Sequence, residues 1–217
     1  MFFNNKYRES NTLSGKDSDN RRRKFFDYHA TDWDKNYPPE VIEKAKDILS
    51  ALPINTGDTI LDLGCGTGIL YPVLQDINKG SGVVYGMDFS RKMLSEASLA
   101  YPAGSLICAT SNRLPFRNSC FDRVIAFAAF PHFSDKRQVC TEVYRILKAA
   151  GYFCVVHLLS SEEIKDHHYH AGEEVKNDLL PAESEFRKML TEAGFEDISI
   201  EDSAGRYILI ARKNNNG

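Results

Sequence analysis

The chain has 217 residues, with 27 lysines and arginines against 30 aspartates and glutamates, and a formal net charge of -3. That length suits one domain with a full core, and the near-balance of charge leaves no global field to draw the molecule to nucleic acid. No apolar stretch approaches the ~20 residues that span a bilayer, and the start of the chain carries no signal-peptide core. Five cysteines, Cys65, Cys108, Cys120, Cys140 and Cys154, form no CxxC pair. They read as reduced thiols, so a cytoplasmic setting is expected.

Residues 1–23 are polar and read as a flexible tail. The basic run Arg21, Arg22, Arg23, Lys24 is either a solvated helix start or a contact for an anionic substrate. Over 24–37 the character changes, with Phe25, Phe26, Tyr28, Trp33 and Tyr37 among acids. Pro38 and Pro39 stop that segment, and 40–51 reads as an amphipathic helix. Strands are then expected at 58–63, 82–88, 104–109, 122–128, 151–158, 195–201 and 206–212. Helices are expected at 68–77, 90–100, 135–148, 161–177 and 182–193. Such alternation argues a parallel α/β sheet covered on both faces. The tight link through Ser203, Ala204, Gly205 and Arg206 makes the last two strands a hairpin, so one strand runs antiparallel.

Residues 60–68 read Ile-Leu-Asp-Leu-Gly-Cys-Gly-Thr-Gly. Gly64, Gly66 and Gly68 let backbone approach a ligand where a Cβ would collide. A strand, a glycine turn and a helix start make a nucleotide-type pocket. The spacing is GxGxG, with Ile69 where a dinucleotide fingerprint needs its third glycine. Asp62 would repel a pyrophosphate and suits a cation, which disfavours a nicotinamide oxidoreductase. Asp88 ends the second strand, an acid placed about 20 residues on, as in sheets that bind ribose hydroxyls. Ser90 is the N-cap of the helix that follows.

Residues 61–68 match LDLGCGTG letter for letter and so resemble the first motif of the class I S-adenosylmethionine-dependent methyltransferases, type 11 and quinone-biosynthesis members included. The resemblance covers roughly residues 25–212 and is densest at 60–68, 84–97, 112–127 and 141–153. It implies a Rossmann-like, seven-stranded, mostly parallel sheet of order 3-2-1-4-5-7-6 with one antiparallel strand and helices on both faces. The methyltransferase domain is expected at 24–212, with an N-terminal lid and helix at 24–51, an acceptor-side cap at 157–181 and a tail at 213–217. The resemblance implies that Asp62, Gly64, Cys65, Gly66 and Gly68 surround the amino-acid end of S-adenosylmethionine and that Asp88 takes the ribose. Phe89 and Met93 would wall the adenine, Thr110 and Ser111 would meet its edge, and Phe127 would lie beside the methionine part. Relatives carry an acid where Thr110 stands, and a neutral hydroxyl makes a weaker contact. The lid would bring Tyr28 and Trp33 to the acceptor.

After the fourth strand the chain reads Ala128-Ala129-Phe130-Pro131-His132-Phe133, without the amide or acid that holds a base amino group, which disfavours a nucleobase acceptor. His132 is a candidate acceptor contact, though packing explains it too. Glu142, Arg145, Leu147 and Gly151 match a structural run of the family. The least routine segment is 157–181, with His157, Glu162, Glu163, His167, His168, His170, Asp178 and Pro181. His157 stands at a strand's C-terminal end, where open α/β sheets bind ligands. With an ordinary pKa near ~6.5 it is the candidate general base, and a core-edge histidine bonded to backbone is the alternative. His168 is a candidate acceptor contact. His167 and His170 share a helix face; a solvated helix explains them better than zinc or iron does, and no metal is expected. The expected activity is in-line transfer of a methyl group from S-adenosylmethionine to a small-molecule acceptor, leaving S-adenosylhomocysteine. The alternative is a protein that binds the same cofactor for other ends, as a sensor or an aminopropyl transferase. No nucleic-acid partner and no membrane span are expected, and the oligomeric state stays open.

Overall fold

The structure, a computed structural model, describes residues 15–215. Its strands are β1 (Thr59–Leu63), β2 (Val83–Asp88), β3 (Ser105–Cys108), β4 (Phe121–Phe127), β5 (Leu147–His157), β6 (Phe195–Ser203) and β7 (Arg206–Lys213). They form one seven-stranded sheet in the order β3-β2-β1-β4-β5-β7-β6. The pairs from β3 to β5 are parallel, and β7 runs antiparallel to both β5 and β6. This is the topology that the alternation, the hairpin and the resemblance anticipate.

The helices are α1 (Gly15–His29), α2 (Pro39–Ser50), α3 (Tyr71–Ile77), α4 (Arg91–Ala100), α5 (Lys136–Ile146), α6 (Ser161–Ala171) and α7 (Glu183–Ala193). Alternate residues of each strand face opposite ways, so the sheet divides the core in two. Leu61, Leu63, Val124 and Phe153 pack with Val143 of α5 and Phe186 of α7. Ile60, Ile125, Cys154 and Val156 pack with Leu49 of α2 and Leu74 of α3. The central strand β4 is buried along nearly its whole length, as a strand covered on both faces must be. The matched run near α5 is structural in fact. The Glu142 carboxylate accepts from Leu114 N–H at 2.8 Å and pairs with Arg145, whose guanidinium donates to the Leu114 and Phe116 carbonyls.

Five boundaries need correction. The helix expected over 161–177 ends at Ala171, and the strand expected from 151 begins at Leu147. The tail expected over 1–23 is helix from Gly15 onward, because α1 packs against α4; residues 1–14 lie outside the described residues. The helix expected from 68 begins at Tyr71, since Gly68 takes a φ of 82° and the chain turns there first. The tail expected from 213 begins later, for Lys213 is buried in β7 and donates to the Tyr144 and Leu147 carbonyls. No helix among the described residues is long and apolar enough to cross a membrane.

Candidate functional site

The site grows from the parallel pairing of β1 with β2, which sets Asp62 opposite Gly86 and Leu63 opposite Met87. The N–H groups of Gly64 and Cys65 both donate to the Met87 carbonyl, at 2.7 and 3.1 Å, folding the glycine turn across the end of β2. Gly64 and Gly66 take φ of 82° and 53°, a left-handed backbone that favours glycine. A Cβ on Gly64 would lie 2.5 Å from that of Ala129, so the turn also touches the loop after β4. Asp88 belongs to the turn as well. It accepts from Gly66 N–H at 3.0 Å and Ser90 N–H at 2.8 Å. Ser90 caps α4 by accepting from Met93 N–H.

Both acids are buried beneath this turn. Burial first, and the charge of Asp88 second, push Asp62 up to about 7. Burial also pushes Asp88 up to about 6, against the N–H groups of Ser90 and Gly66 that favour its charge. Among the described residues Asp62 Oδ1 is buried and has no hydrogen-bond partner. A buried acid with an unused acceptor is costly unless a donor or cation meets it.

These acids floor a cavity walled by the ends of β1, β2 and β4 and by the loop after β3. Its roof is α1 and the 3-10 turn that follows it, Ala30–Asn36, which contribute Phe26 and Trp33, with Tyr37 next in the chain. The roof is fastened to the glycine-turn side by Ser90 Oγ donating to Asp27 and Thr67 Oγ1 donating to Asp34, each at 2.5 Å. The Arg23 guanidinium lies 5.6 Å from the centre of the Phe89 ring, a cation–π contact. Phe26, Ala30, Met93 and Val175 close an apolar cluster between roof and wall.

Of the residues singled out in the sequence, Asp62, Gly64, Cys65, Gly66, Asp88, Phe89, Met93, Thr110, Ser111 and Phe127 line this one cavity, together with Trp33 and His132. Four do not. Gly68 packs instead on α4, where an added Cβ would lie 3.3 Å from that of Ala97. Tyr28 points away and is 81% exposed. His168 is buried behind the wall, its Nδ1 2.5 Å from the Asp178 carbonyl. His157 is buried too, and its Nε2 meets no partner among the described residues. Burial, then the charges of His132 and His168, push its pKa down to about 3. An imidazole that resists protonation so strongly and does not reach the cavity wall is a poor general base. His170 is exposed and bonds within its own helix, and among the described residues no three His, Cys, Asp or Glu side chains gather as metal ligands. Sequence reasoning gave no role to Tyr37, Asn112 or Asp178, and read Arg22 only as part of a basic run, not as a partner of Asp178; the aromatic content of 24–37 and the polar content of 157–181 pointed near the others.

A methyltransferase domain family matches residues 61–155, which hold the glycine turn and the strands around the cavity. A demethylmenaquinone methyltransferase of Thermotoga maritima is 34% identical over 103 residues, 47% of this chain and 44% of that protein. A second, from Oceanobacillus iheyensis, is 25% identical over 187 residues, 74% of this chain and 79% of that one. The match thus spans less than half the length of the Thermotoga relative. Among solved structures, a putative methyltransferase of Haloferax volcanii, in complex with the Trm112 methyltransferase activator, is 26% identical. Its TM-score is 0.72, over 87% of this chain and 97% of that one. The matched domain, the sheet order and the glycine turn agree in supporting a class I S-adenosylmethionine-dependent methyltransferase.

Proposed function

We propose that the protein transfers a methyl group from S-adenosylmethionine to a small-molecule acceptor. The observation that carries this reading is the unpartnered Asp62 Oδ1 under the glycine turn. A buried acid there fits the ammonium of the cofactor's amino-acid end and would repel a dinucleotide's pyrophosphate. Asp88 lies beside it, and each of its oxygens keeps a lone pair for a ribose hydroxyl. Phe89 and Met93 offer apolar faces to the adenine, with Thr110 and Ser111 at its edge. When bound, the cofactor supplies an activated methyl group on a sulfonium. The chain's own work is then to align the acceptor opposite the sulfur and to exclude water. Such alignment supplies ~7–11 kcal/mol of the barrier, and the fastened roof of α1 does the excluding.

The acceptor side carries Trp33, Tyr37, His132 and Phe133. These rings suit a small, flat, partly apolar acceptor, in keeping with the demethylmenaquinone methyltransferases among the relatives. A cytoplasmic setting accords with five cysteines that are all free. Thermal-shift measurements with S-adenosylhomocysteine, decarboxylated S-adenosylmethionine and NAD test the reading. S-adenosylhomocysteine should raise the melting temperature, a ligand at 100 times its Kd stabilising by about 2.7 kcal/mol. A response to NAD alone would overturn it, and a preference for the decarboxylated compound would point to aminopropyl transfer.

A further inference from the structure

Behind His132, which lines the cavity wall after β4, lies a third buried carboxylate, which cofactor binding does not use. Asp178, in the segment between α6 and α7, is 2% exposed. Its Oδ2 lies 2.9 Å from Nδ1 of His132. Arg22 of α1 grips both carboxylate oxygens, with contacts of 2.6, 2.8 and 2.9 Å. The Asp178 carbonyl meets His168 Nδ1 at 2.5 Å, so main chain and side chain are both held. The His132 ring is set between Phe26, 5.0 Å away, and His168, 4.7 Å away. His132 lines the cavity, and among the described residues its Nε2 makes no hydrogen bond.

The charge state of Asp178 follows from its partners. Burial opposes its ionisation, but hydrogen bonds from His132 and Arg22 outweigh that and hold it below the usual carboxylate range. An ionised carboxylate only accepts hydrogen bonds, so Nδ1 of His132 must carry the proton, and in the neutral ring Nε2 presents a lone pair. A carboxylate that fixes the imidazole tautomer and steadies the imidazolium is how an Asp–His pair makes a base. The other titratable or charged groups around this ring are Arg22 on α1, Lys136 on α5, His168 on α6 and His157 on β5. His168 and His157 are pushed down to about 4 and about 3, chiefly by burial, and stay neutral beside it.

We propose that His132 is the general base of methyl transfer, with Asp178 as its positioning residue, and that the acceptor is a flat ring bearing a hydroxyl, a phenol in chemical class. The proposal rests on the reading above that S-adenosylmethionine is the methyl donor. In the step, the acceptor's O–H proton passes to Nε2 of His132. The acceptor oxygen forms a bond to the methyl carbon as the carbon–sulfur bond breaks, its electron pair staying on sulfur. The products are a methyl ether, S-adenosylhomocysteine and an imidazolium paired with Asp178, which returns the proton to solvent. Arg22 ties the same carboxylate to α1, so closure of the roof and assembly of the base share one contact.

The test has two readouts. The first is imidazole nitrogen NMR on the protein saturated with S-adenosylhomocysteine, and needs no acceptor. At pH 8 His132 should show a single tautomer with its proton on Nδ1. Asp178→Asn should scramble that tautomer, and Arg22→Gln should keep it while weakening S-adenosylhomocysteine binding. A proton on Nε2, or on both nitrogens, would overturn the proposal. The second readout is S-adenosylhomocysteine formation from S-adenosylmethionine with catechol, 1-naphthol and 1,4-dihydroxynaphthalene. His132→Gln should lower kcat ~10²–10⁴-fold. Asp178→Asn should lower kcat more than it raises KM for S-adenosylmethionine, and Asp178→Glu should restore part of the loss. Unreactive phenols on a protein that binds S-adenosylhomocysteine, or full turnover by His132→Gln, would overturn the assignment. Failure to bind S-adenosylhomocysteine at all would instead sink the donor reading beneath it.

Discussion

Asp62→Asn keeps the shape of a side chain and removes its charge. In the folded chain this acid is moved from 3.8 to about 7, by burial first and Asp88 second. Holding it ionised inside the fold therefore costs on the order of 4 kcal/mol relative to water. Below about pH 4 the group is protonated in folded and unfolded chains alike, and the cost is absent. As the pH rises, the unfolded chain releases its proton first and the folded chain follows only near pH 7, so the ligand-free protein loses stability across that window. Asp88, pushed up to about 6, acts with the same sign. The asparagine variant escapes the Asp62 part of this loss. Its stability relative to the parent should grow by roughly 2–3 kcal/mol between pH 5 and pH 8.5, read from urea unfolding of both proteins at both pH values. The same variant should lose roughly 1.5–3 kcal/mol of affinity for S-adenosylhomocysteine, the range for a hydrogen bond to a charged group. A stability difference that does not change with pH would refute the reasoning, because Asp62 would then ionise as freely in the fold as in water.

Asp88→Ala should weaken S-adenosylhomocysteine binding by roughly 1.5–3 kcal/mol and also lower the melting temperature, since the Gly66 and Ser90 N–H groups lose their acceptor; calorimetry and a thermal melt read the two effects separately. Gly64→Ala should destabilise the fold and abolish binding, because the new Cβ would lie 2.5 Å from that of Ala129 at a φ of 82°; an unchanged melt would contradict that close approach. Glu142→Ala should cost ~1–3 kcal/mol by stranding a buried donor, and hydrogen exchange at the Leu114 amide should accelerate as its acceptor is removed.

The sheet was legible in the sequence because its central strands are apolar on both faces and its punctuation is strong. Alternating apolar runs and helical periods need no tertiary knowledge to read, and the Ser203–Arg206 link forces the hairpin. The floor of the cavity was legible for a related reason. Asp62, the glycines and Asp88 sit at fixed offsets from strand ends, and the parallel register alone brings them together. The start of α1 was not legible: residues 15–23 carry no apolar period, and the helix is held by Asp27 on Ser90 and Arg22 on Asp178, contacts that no local pattern displays. His157 shows a different limit. Its place at the end of β5 is clear from sequence, but its ring lies against Tyr207 inside the fold and not on the cavity wall. Asp178 lies 46 residues from His132 in the chain, so their pairing appears only when the segment after α6 folds back against the loop after β4.

The central claim is that the cavity over Asp62 and Asp88 holds S-adenosylmethionine. Calorimetric titration of the folded protein with S-adenosylhomocysteine, repeated at pH 6 and pH 8 in buffers of different ionisation enthalpy, tests it most directly. A ligand ammonium that pairs with Asp62 must find it ionised, so binding should be saturable, tighter at pH 8 than at pH 6, and accompanied by proton release at the lower pH. Absence of binding at millimolar ligand would contradict the claim, and binding with no proton release at pH 6 would place the ammonium elsewhere than on Asp62.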